Sequence, residues 1–509
     1  MATVGVQHHK MFIGGQHQDA DESYEIRNPA NEELVATVAK GTVEHADAAV
    51  AAAKKAFENG SWATLGPDER REVMLRISEG LSEKVEELIE AEITANGATV
   101  RQAGGFHIGL AAPHFAYFAE LAGKFQAEVG IPTAPYPTLS SNVLRREPIG
   151  VCAGILPWNF PLVLTLWKIG PALAAGNSIV IKADEKTPLS TLMFADIAKE
   201  AGLPDGVLNI ITGDGPEVGA RLSSHPDVGK IAFTGSTAVG REIMKAASQT
   251  VKKVSLELGG KGAAVITEDV DIKTVADAAI MGCCLYSGQM CESITRLIVP
   301  ESIHDELVAQ IVKRIGTLKM GDPFDFDTDV GPVVSKRQHD RVLSYLKIAE
   351  EEGAVAACGG KAPEGPEFEK GFWIEPTVFT NVTNDMRIAR EEVFGPVLVV
   401  IKYSGDVDEA VAIANDSIYG LSGAVWSNDY EVCLDVAQKL QAGTVWINDV
   451  HMVTPELPFG GYKQSGLGRE LGPDALNEYT EVKHIHIDLS QKLENRAYDL
   501  VLSAGPDED

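Results

Sequence analysis

The sequence of 509 residues is poor in positive charge and has no long hydrophobic run. It contains 44 Lys and Arg residues against 73 Asp and Glu residues, which gives a formal net charge of −29. Nucleic acids and anionic lipids attract basic surfaces, so this balance argues against partners of either kind. No stretch approaches about 18 uninterrupted apolar residues, which argues against a transmembrane helix.

Cysteine is also scarce, with six residues at irregular spacing and no C-x-x-C pair of the metal-binding type. In a chain of this length, such usage is typical of a reducing compartment and predicts no metal site. The first fifteen residues have no apolar segment behind a basic one, so we expect no signal peptide. The sequence therefore predicts an acidic cytoplasmic protein. Its hydrophobic fraction of 45% is sufficient for sizeable cores.

The amino-terminal third predicts helices. Thr42 precedes an alanine-rich run over 43–58, and Pro67 opens a segment whose apolar residues recur at helical spacing. The proline-rich stretch 131–142 cannot continue a helix and is expected to lead into an edge hairpin.

From Gly150 onward, short apolar runs alternate with helical segments of about 10–15 residues, which is typical of βαβ units. The predicted fold class is therefore α/β, with two doubly wound halves that join near residues 257–262. In such folds, ligands bind beyond the carboxyl ends of the strands.

Three strand-to-helix corners are candidates for holding a dinucleotide. Two are glycine-rich, at 213–219 and 235–240, but neither matches G-x-G-x-x-G, and each is equally typical of a plain tight turn. The third contains Lys182 and Glu185, which could bind the hydroxyl groups of a ribose or form a solvated ion pair.

Three other residues could perform chemistry. Cys291 lies in a glycine-containing polar loop, although most free cysteines are buried as small hydrophobic residues. Glu257 ends an apolar strand, where burial would raise its pKa as a general base requires, unless it pairs with Lys261 or Lys253. Asn159 lies between two prolines and could donate to an oxyanion, or could form an Asx turn or helix cap.

Together these residues describe one reaction cycle. A thiolate attacks an aldehyde, and the Asn159 amide and the Cys291 backbone N–H hold the oxyanion. Hydride then passes to a nicotinamide, and water activated by Glu257 hydrolyses the thioester.

From about residue 28 to 482 the chain resembles the aldehyde dehydrogenase superfamily, in its hydrolytic NAD(P)-dependent form. The resemblance rests on the motifs PWNFP, FTGS, LELGGK, GQMC, EEVFGP and PFGGYKQSGLGRELG. It implies that Cys291 is the nucleophile, Glu257 the base and Asn159 the oxyanion donor. It also implies that Lys168 and Glu470 pass protons away from the base.

The resemblance further implies that NAD is the cofactor, with NADP less favoured because the Glu185 carboxylate would repel a 2′-phosphate. The family usually has Lys-Pro-Ser/Ala-Glu at this corner, whereas Ala183 and Asp184 occupy the middle positions here. The residues implied to bind the dinucleotide are Leu156, Pro157, Trp158, Lys182, Glu185, Gly215, Gly219, Gly235, Ser236, Leu258, Glu392 and Phe394.

The implied substrate tunnel is largely apolar, which favours an aliphatic or aromatic aldehyde. The absence of arginine argues against a semialdehyde with a carboxylate. Glu292 could attract a betaine-type or amino aldehyde, or could turn away and bond to backbone. The tunnel residues implied by the resemblance are Phe160, Leu164, Trp167, Met290, Glu292, Val453 and Phe459.

The resemblance implies two Rossmann-like domains and a small oligomerisation element in a homo-oligomer, either a dimer or a tetramer. The expected NAD-binding domain comprises 1–125 and 149–258, and the catalytic domain comprises 259–460. The oligomerisation element comprises 126–148 and 475–490, and an acidic tail covers 491–509.

Other activities stay open at this point. They are a coenzyme A-acylating dehydrogenase, which typically lacks the base, a non-catalytic relative, and a cysteine hydrolase. The hydrolase would need a histidine to activate the thiol, and no histidine lies in the motifs above.

Overall fold

The computed structural model describes residues 6–136, 138–490, 498, 501 and 502. Its architecture is α/β, with two large, mostly parallel sheets and two small three-stranded sheets. The predicted fold class is therefore confirmed. The acidic tail expected over 491–509 lies outside the described residues, apart from residues 498, 501 and 502.

Residues 7–39 form short strands, so the prediction of helices was wrong for this stretch. The strands are β1 (Gln7–His9), β2 (Met11–Ile13), β3 (Gln16–Gln18), β4 (Ser23–Arg27) and β5 (Leu34–Ala39). β1, β5 and β4 form one of the small sheets. β2 pairs with β3 and with a strand that follows much later in the chain. Runs of three residues are too short to show a period, and their pairing is decided by tertiary contacts.

Helices then follow as predicted at 43–58 and from Pro67. They are α1 (Val43–Glu58), α2 (Pro67–Glu83), α3 (Val85–Asn96), α4 (Val100–Gln102) and α5 (Ala111–Lys124). The Thr42 backbone N–H donates to His45 Nδ1 at 3.2 Å at the start of α1. Pro67 occupies the first turn of α2, where its missing N–H costs no hydrogen bond.

The proline-rich stretch leads into a hairpin, as expected, and the alternating β and α elements of the first large sheet follow it. The hairpin consists of β6 (Glu128–Ala134) and β7 (Ser140–Pro148). The later elements are β8 (Val151–Ile155), α6 (Pro161–Ala174), β9 (Ser178–Lys182), α7 (Leu189–Glu200), β10 (Leu208–Ile211), α8 (Ala220–Ser224), β11 (Lys230–Thr234), α9 (Thr237–Ala247) and β12 (Lys253–Glu257).

The second half repeats this alternation up to residue 447, and the chain then returns to the first half. Its elements are β13 (Gly262–Ile266), α10 (Ile272–Cys284), β14 (Ile294–Pro300), α11 (Glu301–Ile315), α12 (Lys336–Glu351), β15 (Val355–Cys358), β16 (Thr377–Thr380), α13 (Arg387–Arg390), β17 (Val397–Tyr403), α14 (Val407–Asn415), β18 (Ser422–Trp426), α15 (Tyr430–Lys439), β19 (Thr444–Ile447), β20 (Gly466–Leu467), α16 (Ala475–Glu478) and β21 (Thr480–Asp488).

The strand orders show how the halves meet. The first large sheet has the order β20-β12-β11-β8-β9-β10-β2-β3, and the second has β15-β16-β17-β14-β13-β18-β19. β12 of the first sheet, which ends at Glu257, leads directly to β13 of the second, which begins at Gly262. β20 returns after the second sheet to pair with β12, and β21 pairs with β7 of the hairpin. Segments far apart in sequence thus meet at the ends of β8, β11 and β12.

Apolar cores lie on both faces of each large sheet. Within the described ranges, no helix combines the length and apolar character needed to cross a membrane.

Candidate active site

The loop that carries Cys291 begins with two residues in a strained backbone conformation. Tyr286 and Ser287 have φ values of 47° and 51°, which side chains other than glycine rarely adopt. Distant backbone atoms hold them in place. The Tyr286 hydroxyl donates to the Asn96 carbonyl at 2.9 Å, and Ser287 Oγ donates to the Gly331 carbonyl at 2.7 Å. The loop is therefore fixed by tertiary contacts rather than by its own sequence.

Cys291 is partly buried, whereas four of the other cysteines, Cys152, Cys283, Cys284 and Cys433, are buried. Its thiol donates to Glu292 Oε2 at 3.3 Å. Burial raises the pKa of this thiol well above its usual range, and the Glu292 and Glu257 carboxylates raise it further. The thiol is therefore protonated at neutral pH and needs a proton acceptor before it can attack.

Asn159 reaches from the first half of the chain to this loop. Its Nδ2 donates to the Gln289 carbonyl at 3.0 Å, and the side chain is buried. The N-cap position of α6 is Phe160, so Asn159 does not cap that helix. One N–H of the amide fixes it beside the loop of Cys291, and the second is left to bind a further acceptor.

Glu257 ends β12 with its carboxylate buried and one oxygen unpaired. Oε2 has no hydrogen-bond partner among the described residues, and the side chain forms no ion pair with Lys253 or Lys261 there. Burial raises the pKa of Glu257 well above its usual range, and the nearby Glu470 carboxylate raises it further. A carboxyl group in this state can take up a proton near neutral pH.

Lys168 and Glu470 form a buried ion pair beside Glu257. Lys168 Nζ lies 2.7 Å from Glu470 Oε1 and donates to Thr234 Oγ1 at 2.8 Å. The second oxygen of Glu470, Oε2, has no partner in the part of the chain that the structure describes. The titratable side chains of Glu257, Glu470 and Lys168 thus lie next to one another between the end of β12 and α6.

The two glycine-rich corners open at the ends of β10 and β11. A Cβ added at Gly215 would meet no atom within 4 Å, whereas one at Gly235 would clash with the Phe233 ring. Ser236 is exposed, and its Oγ accepts from the Val239 N–H at 3.4 Å as the cap of α9. Both corners therefore present backbone and a helix start to solvent, as a phosphate group requires.

The third corner is an ion-pair cluster at the end of β9. Glu185 lies 3.2 Å from Lys182 Nζ and 2.9 Å from Lys186 Nζ. Burial opposes ionisation of Glu185, but the two lysines outweigh it and lower its pKa to about 2. Asp184 accepts from the Lys186 backbone N–H at 2.9 Å, and its side chain is 13% exposed, whereas that of Glu185 is 34% exposed. Glu185 is therefore the more accessible of the two carboxylates.

A second acidic residue and two aromatic rings lie nearer to the junction. Glu392 Oε1 accepts from the Gly260 N–H at 2.9 Å, and burial raises the pKa of Glu392 to about 7. The rings of Trp158 and Phe394 meet edge to face at 5.3 Å. The remaining predicted dinucleotide residues are Pro157, which is half-buried, and Leu156, Gly219 and Leu258, which are buried.

Six of the seven predicted tunnel residues lie in or against one apolar cluster, and Glu292 is the exception. Phe160, Leu164, Trp167, Met290 and Phe459 belong to one buried apolar cluster, against which Cys291 and Val453 pack. The rings of Trp167 and Phe459 lie 5.3 Å apart. The surface beside the thiol is therefore mostly apolar and aromatic.

Glu292 contacts a residue that the sequence analysis missed. Its carboxylate is buried, and Oε1 lies 3.4 Å from Nδ1 of His451. His451 is itself buried and has a φ of 62°. It lies outside the short motifs, and no local pattern indicates that it would come to lie next to Glu292.

Comparisons with known proteins identify the family of the chain. The model of the aldehyde dehydrogenase family matches residues 16–485. The chain is 46% identical over 478 residues to betaine aldehyde dehydrogenase of Bacillus subtilis, covering 94% of this chain and 96% of that protein. It is 42% identical over 486 residues to aldehyde dehydrogenase of Aspergillus niger, covering 95% and 96%.

Solved structures give the same result. The structure of betaine aldehyde dehydrogenase from Staphylococcus aureus in complex with NAD+ superposes with a TM-score of 0.93 at 40% identity, covering 95% of this chain and 96% of that one. The NAD+ complex of aldehyde dehydrogenase from Bacillus cereus superposes with a TM-score of 0.91 at 42% identity, covering 95% and 97%. This chain belongs to the aldehyde dehydrogenase family.

Proposed function

We propose that the protein oxidises an aldehyde to a carboxylic acid with NAD as the hydride acceptor and Cys291 as the nucleophile. The observation that carries this proposal is the meeting of three groups at the junction of the two halves. Asn159 donates to the loop of Cys291, and Glu257 has an unpaired buried carboxylate oxygen whose charge acts on the thiol. A coenzyme A-acylating or non-catalytic relative has no need of this carboxylate.

In the first step Cys291 Sγ adds to the aldehyde carbon, and the carbonyl oxygen becomes an oxyanion. The second N–H of the Asn159 amide and the Cys291 backbone N–H donate to this oxygen. Donors fixed in advance for a charge that develops only in the transition state lower the barrier without reorganising. The contact between Asn159 and Gln289, 3.0 Å long, provides that fixation.

The corners fit a dinucleotide. The open space at Gly215 and the exposed start of α9 at Ser236 suit the pyrophosphate, and Lys182 and Glu185 suit a ribose. Glu392, Trp158 and Phe394 would hold the nicotinamide end near the thiol. When bound, NAD supplies the oxidant, because its nicotinamide accepts the hydride that leaves the carbon. The charge on Glu185 disfavours the 2′-phosphate of NADP.

In the last step Glu257 takes a proton from the water that hydrolyses the thioester. Its raised pKa suits a general base near neutral pH. Glu470 and Lys168 lie next to Glu257, and they pass the proton on from this base towards Thr234.

The substrate that fits the apolar cluster is an aliphatic or aromatic aldehyde. A cationic aldehyde is the second candidate, because Glu292 lies beside the thiol and because several relatives are named betaine aldehyde dehydrogenase. Against it, His451 faces the Glu292 carboxylate and offsets its charge.

The three-stranded sheet β21-β7-β6 is the proposed oligomerisation element. It exposes apolar side chains on both faces, which is typical of a surface that another copy covers. Val129, Ile131, Leu144 and Val482 lie on one face by the strand register, and Ile485 lies on the other. We further propose that the NAD-binding and catalytic domains divide at the junction after Leu258 and that the enzyme acts in the cytoplasm.

The test is NADH and NADPH formation at 340 nm from hexanal, benzaldehyde, betaine aldehyde and succinic semialdehyde, with and without coenzyme A. We expect NAD reduction without coenzyme A, fastest with the neutral aldehydes. Cys291→Ser should abolish it while NAD binding remains. Glu257→Gln should give a burst of NADH followed by slow turnover. Activity that requires coenzyme A, or that persists in Cys291→Ser, would contradict the proposal.

A further inference from the structure

The Cys291 thiol contacts Glu292, which in turn contacts His451, and both of these side chains are buried. Glu292 Oε2 accepts from Cys291 Sγ at 3.3 Å, and its other oxygen, Oε1, lies 3.4 Å from His451 Nδ1. The exposed fractions of Glu292 and His451 are 7% and 3%. The steps proposed above use neither side chain for chemistry.

The second ring nitrogen of His451 faces a backbone carbonyl. Nε2 lies 3.2 Å from the Gly282 carbonyl oxygen, which can only accept, so Nε2 donates to it. Nδ1 lies 3.4 Å from Glu292 Oε1 and has no hydrogen-bond partner among the described residues. The imidazole is therefore anchored at Nε2 and presents Nδ1 to the carboxylate that accepts from the thiol.

The backbone of His451 is held in a conformation that its side chain disfavours. Its φ of 62° lies in the left-handed region, where residues other than glycine are uncommon. The Trp446 ring lies 6.0 Å from the imidazole, and Trp446 Nε1 donates to the Met452 carbonyl at 3.0 Å, which fixes the loop on both sides of the ring. Strain of this kind is found at sites where the position of a side chain serves a function.

We propose that Glu292 accepts the Cys291 proton as the thiol adds to the aldehyde, and that His451 positions Glu292 for this transfer. This inference rests on the function proposed above. As the bond between sulfur and carbon forms, the S–H bond breaks and its proton passes to Glu292 Oε2. The electron pair of the carbonyl moves to the oxygen beside Asn159. The proton returns to sulfur when hydrolysis releases the acid.

Two further carboxylates lie near the thiol, and their contacts distinguish their roles from that of Glu292. Glu257 and Glu392 both raise the pKa of Cys291, but hydrogen bonding to Sγ is seen only for Glu292 within the described ranges. Glu292 therefore serves the addition step, and Glu257 serves hydrolysis. The enzyme has one base for each half of the reaction.

The experiment is a rapid-mixing measurement of the NADH burst with excess hexanal between pH 3.5 and 9, a range that extends into the acid region where Glu292 takes up its proton. Glu292→Gln keeps the size and polarity of the side chain but removes the base. We expect its burst rate constant to fall at least tenfold and to lose the decline that protonation of Glu292 causes at low pH. Glu257→Gln is the matched control and should keep the burst rate constant while the later turnover slows.

His451→Gln separates positioning from packing. The amide can donate to Glu292 but carries no charge, and His451 lowers the pKa of Glu292 in the wild type. The low-pH decline of the burst should therefore move to higher pH, whereas a purely structural role would scale the rate without moving the decline. The variant in which both residues are replaced should have the same pH profile as Glu292→Gln alone.

A burst in Glu292→Gln within threefold of wild type, with the same pH profile, would overturn the proposal. If Glu292→Gln fails to fold, as judged by melting temperature and NAD binding, His451→Gln decides alone, and an unmoved pH profile overturns the proposal. NADH formation by Cys291→Ser, or none by the wild type, would instead contradict the proposed function itself.

Discussion

Replacing Gly460 by alanine tests whether Glu257 has to occupy the position seen in the structure. Gly460 has a φ of +154°, and a Cβ added there would lie 2.7 Å from Glu257 Oε1 and 2.9 Å from the Gly468 carbonyl oxygen. A contact this short forces one neighbour to move. The Gly468 oxygen belongs to the backbone, so the groups that yield are the Glu257 carboxylate and the Arg469 side chain, whose Cδ would lie 2.8 Å from the added Cβ.

The expected magnitude follows from these distances. An unstrained contact between these atoms needs about 3.5 Å, so the carboxylate has to shift by roughly 0.5–1 Å. A misplacement on the order of 1 Å at a catalytic group costs about 100-fold in rate. We therefore expect hydrolysis of the thioester in Gly460→Ala to slow by about 10- to 100-fold, while addition of the thiol is unchanged.

The assay is again the NADH burst, followed by the steady rate. Gly460→Ala should keep the amplitude and rate constant of the burst and lose most of the later turnover. Gly105→Ala is the matched control, because a Cβ at this exposed glycine meets no atom within 4 Å. A steady rate within threefold of wild type would refute the argument that Glu257 acts from its observed position.

Three further changes test the remaining groups. Asn159→Ala should lower kcat by about 10²–10³, as for the loss of one oxyanion donor, and a loss below about threefold would leave Asn159 as a loop anchor only. Glu185→Gln removes a charge that disfavours a 2′-phosphate, so the ratio of kcat/KM for NADP to that for NAD should rise at least tenfold, and an unchanged ratio would contradict the role of Glu185 at the ribose. Lys168→Met removes a cation that lowers the pKa of Glu257. The turnover after the burst requires the Glu257 carboxylate and rises with pH, so its rise should move to higher pH in Lys168→Met, and a profile at the wild-type position would show that the two groups are not coupled.

The alternating part of the fold could be predicted from the sequence because its signals are local. The apolar runs from Gly150 to residue 447 form most of the parallel strands of the two large sheets. The first forty residues could not be predicted in the same way. Their strands are mostly three residues long and are defined by partners such as β10, about two hundred residues away.

The candidate site could likewise be predicted only in part from the sequence. Glu257 could be singled out because a carboxylate is costly in an apolar strand, and Cys291 because it lies in a polar, glycine-containing loop. Asn159 could be singled out because it lies between two prolines, although a plain turn was equally open for it. The sequence left open whether Glu257 would pair with Lys253 or Lys261, and neither contact exists among the described residues. Their roles in the reaction remain predictions that the experiments above address.

The sequence by itself determined the helices from Val43, the alternating strands and helices after Gly150 and the residue types available for chemistry, because these depend on periodicity and on local backbone preference. Only the tertiary structure decided which groups touch. It placed His451 next to Glu292 and paired Lys168 with Glu470, and it left Glu257 Oε2 without a hydrogen-bond partner among the described residues. Each of these contacts joins segments far apart in the chain, and the burial that raises the pKa of Glu257 exists only once those segments have packed together.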